Sequence, residues 1–63
     1  MCLSTVYEVK GEGKNLVCEY VSSVRAESGS LILTDIMGDE TIVHGALRSV
    51  DLVKNIILIE PAP

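Results

Sequence analysis

The sequence contains no Trp and no Phe, and its 63 residues include only two aromatics, Tyr7 and Tyr20. Its core must therefore be aliphatic, and the stacking platforms on which single-stranded nucleic acids rest are nearly missing. Positive charge is also scarce: five Lys and Arg stand against nine Asp and Glu, for a net charge of −4. An acidic surface with scattered cations repels phosphate backbones, which counts against nucleic acids and anionic membranes as partners. Long apolar runs are missing as well. The longest, Ile56 to Ile59, is far too short to cross a membrane. No charged segment, long apolar stretch and small-residue cleavage site precedes the domain, so a cytoplasmic location is expected. Two cysteines allow one bridge in principle, Cys2 to Cys18, but in a reducing compartment both thiols stay free.

What is present is a chain with 48% apolar residues that spans one domain, residues 1–63. A chain this short buries only about 60% of the surface its unfolded form exposes, so it needs a staple or a partner. A second copy is the simplest source of extra burial, and a homodimer is expected.

The dominant hydrophobic period is two. Leu3, Thr5, Tyr7 and Val9 alternate with Ser4, Val6, Glu8 and Lys10, and Gly11-Glu12-Gly13-Lys14 supplies a hairpin turn. Further strands are expected from Asn15 to Val21, over Val24 to Ala26, from Leu31 to Met37, from Thr41 to His44, from Leu47 to Leu52 and from Ile56 to Glu60. Ser22-Ser23, Ser28-Gly29, Gly38-Asp39, Gly45-Ala46 and Lys54-Asn55 separate them. Seven short β-branched-rich segments in so small a chain predict an all-β fold: a strongly bent antiparallel barrel of the OB- or SH3-like kind, since an open sheet would leave bare edges. One helical turn between Gly45 and Val53 is the most helix the pattern allows. Pro61 and Pro63 remove backbone donors and end the last strand.

Most motifs have dull readings. GEGK lacks the glycine five residues before its Gly-Lys pair and has Asn15 where a phosphate loop needs Ser or Thr, so it is a turn. His44, Ser49 and Asp51 form a hydrolytic set on paper only, because a barrel this small has little room for a cleft and no nucleophile elbow. No paired cysteine motif at zinc spacing occurs. Cys18, on a strand face with Leu16 and Tyr20, reads as a small core hydrophobe. No catalytic residue is expected.

Cys2 is different. With Met1 retained, the terminal amine, the Cys2 amide nitrogen and the Cys2 thiolate form two fused five-membered chelate rings. With Met1 removed, Cys2 alone offers amine and thiolate. Such N,S sets suit ions that favour square-planar coordination, Ni(II) or Cu(II). Met1 and Cys2 are thus the candidate metal ligands, and two chains of a dimer would complete four donors.

The Met1-Cys2-Leu3 start, the stretch Val24-Arg25-Ala26-Glu27 before a Gly-containing turn, and Val50-Asp51-Leu52 before the last strand resemble the CooT family over nearly the full chain. These are small nickel-binding accessory proteins of carbon monoxide dehydrogenase maturation. The resemblance implies a homodimeric barrel similar to the HypC-type hydrogenase maturation chaperones, which also begin Met-Cys and use that cysteine. It implies a non-enzymatic nickel chaperone that binds Ni(II) through Cys2 and passes it to apo carbon monoxide dehydrogenase or another nickel enzyme. No His-rich tail is present, so few ions per dimer are expected. Two other classes remain: a small RNA-binding barrel, for which Tyr7, Tyr20 and the five cations are the only materials, and a protein-docking module without metal.

Overall fold

The computed structural model describes residues 3–62. Five strands carry the chain: β1 (Ser4–Lys10), β2 (Gly13–Glu27), β3 (Ser30–Asp35), β4 (Glu40–Asp51) and β5 (Ile56–Pro61). Each pairs antiparallel with the next, and β5 returns to β1, closing the sheet as a barrel. The closing seam is parallel, with Val6 opposite Ile57 and Tyr7 opposite Leu58. This corrects the expectation of a wholly antiparallel barrel. In a meander with an odd number of strands the first and last run the same way, so the seam that joins them has no alternative.

The all-β reading holds, but the expected seven segments are five strands. Val24 to Ala26 continues β2, and Thr41 to His44 joins Leu47 to Asp51 in β4. Both joints are bends rather than breaks. In β2 the register slips against β1 on either side of Cys18 and against β3 between Val21 and Ser23. Each slip is an extra residue on β2, and β-bulges of this kind turn a strand without ending it. Tyr20 adopts φ 58° within the bend, its carbonyl accepts the Ile36 N–H at 2.9 Å, and the Ser22 hydroxyl donates to the Thr34 carbonyl at 3.1 Å. Ser22, expected with Ser23 to interrupt the strand, instead lies within it and satisfies carbonyls beside the disturbed ladder.

In β4 the joint is Gly45. A Cβ there would collide with the Glu60 carbonyl oxygen and lie 3.1 Å from Pro61 Cα, so only glycine lets the two backbones cross this closely. The strand runs on to Asp51, and the helical turn allowed between Gly45 and Val53 does not form. The Ser28-Gly29 turn has φ of 45° and 80°, the two positive values that match a two-residue hairpin to the twist of its strands.

The core is small and aliphatic. Val6, Val21, Leu31, Leu33, Ile57 and Ile59 are buried together, with Val17, Cys18, Val24 and Val43 packed against them. Val17 and Cys18 are neighbours in sequence yet both reach the core, because the bulged backbone does not alternate its faces there. Leu16 and Tyr20, read as sharing the face of Cys18, point largely to solvent.

Candidate functional site

The two residues singled out as metal ligands, Met1 and Cys2, lie outside the described residues. What the fold defines is the point from which they depart. Ser4 is the first residue of β1, opposite Val21, and the Thr5 N–H donates to the Asn55 carbonyl at 2.9 Å. The first strand is therefore fastened to the β4–β5 turn, residues 52–55, and Cys2 stands three residues before that anchor in the sequence.

That turn is itself firmly built. One carboxylate oxygen of Asp51 accepts the N–H groups of Val53 and Lys54 at 3.0 and 2.9 Å, and Asn55 takes φ 58°. An aspartate that binds the backbone just ahead of it fixes a turn without requiring glycine. The conformation leaves Leu52 and Val53 79% and 92% exposed. The turn from β3 to β4 is made the same way: Asp35 accepts the N–H groups of Met37 and Asp39, and Ile36 and Met37 are exposed. Both signals were present in the sequence as Asp followed by two apolar residues. Hydrophobic alternation treats such a pair as strand, which is why Ile36, Met37 and Leu52 were expected inside strands.

Among the described residues nine large apolar side chains are exposed, and seven of them, Ile36, Met37, Ile42, Leu47, Val50, Leu52 and Val53, lie on β4 or on its flanking turns. Singly exposed aliphatics are ordinary; here they are concentrated along one strand and the turns at its two ends.

The other candidates do not assemble. The His44 imidazole Nδ1 pairs with the Ser30 hydroxyl at 3.0 Å, not with Ser49, and the Asp51 carboxylate is engaged by its own turn. Cys18 is a free, half-buried thiol whose Sγ lies 3.7 Å from the Glu19 carbonyl oxygen. Among the described residues no group of three or more His, Cys, Asp or Glu side chains is placed to hold a metal ion. No pocket opens among them either, and none of the described residues forms a helix long and apolar enough to cross a membrane.

The materials for an RNA surface are dispersed and engaged. Arg25 meets Glu27 at 3.4 Å and Glu40 at 3.8 Å, Arg48 meets Glu60 at 2.9 Å, and the Lys14 ammonium sits 4.9 Å from the centre of the Tyr7 ring. Tyr20 is the one aromatic ring that is largely open.

The sequence matches, over residues 1–60, the family described as CO dehydrogenase accessory protein CooT. The chain belongs to the CooT family. A crystal structure assigned as CooT from Carboxydothermus hydrogenoformans superposes with a TM-score of 0.90, covering 98% of this chain and all of the other at 24% identity. At that identity the likeness speaks for the fold. No curated protein matches the sequence. CooT is a family of accessory proteins rather than of catalysts, so its activity is exerted on an enzyme.

Proposed function

We propose that the protein is a nickel carrier that holds Ni(II), its cargo, through the Cys2 thiolate and hands it to an apo-enzyme in the cytoplasm, carbon monoxide dehydrogenase first among the candidates. The observation that carries this reading is membership in a family of CO dehydrogenase accessory proteins by a chain that begins Met-Cys. Donor chemistry supports it. With Met1 in place the terminal amine, the Cys2 amide nitrogen and the thiolate occupy adjacent corners of a square plane, the arrangement Ni(II) favours with N and S donors. In a homodimer the second chain brings its own Cys2, so one ion is shared between two thiolates.

A ligand on a terminus also suits delivery. The residues behind it are held by the Thr5 to Asn55 hydrogen bond, while the terminal donors can be exchanged one by one for those of an acceptor. Affinity depends on pH with a definite sign. Free thiols titrate near about 8.5 and α-amines near about 7.7 to 8.0, so binding at neutral pH displaces protons and strengthens as pH rises.

The test is a Ni(II) titration of the reduced, tag-free protein beside its Cys2→Ser and Cys18→Ala variants, read by ultraviolet absorption and native mass spectrometry. Thiolate-to-nickel charge-transfer bands saturating at one ion per dimer are expected in the wild type and in Cys18→Ala, and none in Cys2→Ser. Loss of binding in a folded Cys18→Ala, or equal weak signals from all three, overturns the assignment. In the second case the exposed apolar residues of β4 favour the other reading, a protein-docking module without metal.

A further inference from the structure

Two turns held by aspartates lie on either side of the first strand. On one side the Thr5 N–H meets Asn55 of the β4–β5 turn. On the other, Ser4, Val21 and Asp35 stand in one row across β1, β2 and the end of β3. Neighbouring strands lie about 4.8 Å apart, so Ser4 is two such steps, about 10 Å, from the residue at which the β3–β4 turn begins. That turn displays Ile36 and Met37, 63% and 82% exposed. The Ile36 N–H donates to the Tyr20 carbonyl, and Tyr20 is itself 62% exposed. Tyr20 also takes φ 58° within β2. A left-handed backbone strains a bulky residue, and glycine or asparagine adopts it at lower cost, so a tyrosine in that conformation points to a use for its ring.

We infer that Tyr20, Ile36 and Met37 form the surface on which the acceptor enzyme docks, and that the enzyme meets it with an apolar centre and a basic edge. The inference rests on the delivery reading above and adds the face through which delivery is made. Charge selects the kind of occupant. Glu19 precedes Tyr20, Asp35 precedes Ile36, and Asp39 and Glu40 follow the turn glycine, Gly38. Glu40 shares Arg25 with Glu27, at 3.8 and 3.4 Å, while among the described residues Glu19, Asp35 and Asp39 pair with no Lys or Arg. A second copy seated here in an isologous contact would set these carboxylates against their own likeness, and like charge across an interface rejects a partner. Phosphate backbones and anionic lipids are repelled in the same way. A protein surface that rings an apolar centre with lysine or arginine is attracted instead, and Tyr and Met are side chains that such a centre packs against well. Reach selects the enzyme that takes the metal. An interface of ordinary size covers about 800 Å² of each partner and so extends about 16 Å from its centre. Cys2 stands two residues before Ser4, a chain length of at most about 7 Å. A partner seated on the β3–β4 turn is therefore within reach of the terminal donors.

The experiment measures binding of the protein to purified apo carbon monoxide dehydrogenase by biolayer interferometry, and the release of bound Ni(II) both to that enzyme and to EDTA. Four proteins are compared: wild type, Met37→Glu, Asp39→Lys and, as a control, Leu16→Glu, whose exposed residue lies opposite Tyr7 toward the other end of β1. All three replaced side chains are exposed, so the barrel remains able to fold, which circular dichroism checks. Met37→Glu should weaken binding to the enzyme roughly 30-fold. Asp39→Lys should weaken it roughly fivefold, and the wild-type affinity should fall as salt is raised. Both variants should slow transfer to the enzyme while releasing Ni(II) to EDTA at the wild-type rate, and Leu16→Glu should match the wild type throughout. Unchanged affinity in Met37→Glu or in Asp39→Lys, loss of binding in Leu16→Glu instead, or a wild type that does not bind the enzyme overturns this surface and leaves nickel binding standing. A wild type that binds the enzyme through Met37 yet takes up no Ni(II) overturns the cargo and leaves the surface in place.

Discussion

β3 and β4 lie side by side in one ladder, both rich in aliphatic residues, and they end in opposite environments. Leu31, Ile32 and Leu33 of β3 are all buried, while β4 contributes no fully buried side chain. Composition does not separate the two; position in the ring does. β3 is six residues long and is flanked along its length by β2 and β4, so whatever it turns inward is covered. β4 is twelve residues long, and only Glu40 to His44 lie against β3. From Gly45 onward it pairs with β5 and runs beyond the shelter of the core. A strand that outlasts its neighbour carries its inward residues to the rim, where Leu47 and Val50 stay about half exposed.

The largest expected effect tests the hinge on which this contrast depends. Gly45→Ala places a methyl group against the Glu60 backbone, and since neither backbone can yield without parting β4 from β5, a loss of more than about 3 kcal/mol is expected by urea denaturation. Unchanged stability would mean that β4 does not cross β5 so closely in solution.

Next comes a paired comparison of the two strands. Leu33→Ala removes a fully buried side chain and should cost about 3 kcal/mol. Leu47→Ala should cost about 1 kcal/mol, because half of that side chain is already wet. Equal losses would show that the barrel covers Leu47 after all. The smallest effect belongs to Arg48→Ala. The Arg48 to Glu60 pair is short, at 2.9 Å, but both side chains are about half exposed, so its removal should change stability by no more than about 0.5 kcal/mol and less at high salt.

Much of the fold was legible in the chain. Alternation placed the segments, and the glycine-bearing GEGK and ESGS stretches marked two hairpin turns because a two-residue turn needs backbone angles that few residues other than glycine tolerate. The strand count was not legible. Ser22-Ser23 and Gly45-Ala46 have the composition of loops, and only the neighbouring strands decide whether such residues interrupt a ladder or bend it. The parallel seam was missed as well: it follows from an odd number of meandering strands, yet the sequence was read as a wholly antiparallel barrel. For the site, the sequence singled out Cys2 through donor chemistry, which depends on residues adjacent in the chain. The apolar surface of β4 was invisible to it, because Leu47 and Leu33 look alike until something does or does not cover them.

The sequence by itself therefore determined what depends on near neighbours: strand and turn propensity, an aliphatic core, an acidic balance of charge and family membership. Only the tertiary structure decided what depends on residues far apart in the chain. It bent β2 and β4 through bulges and a backbone crossing, and it fastened the first strand to the β4–β5 turn. It also left one half of β4 uncovered, because burial is a property of what lies opposite a side chain, and in a closed sheet that is set by register rather than by the residue's own identity.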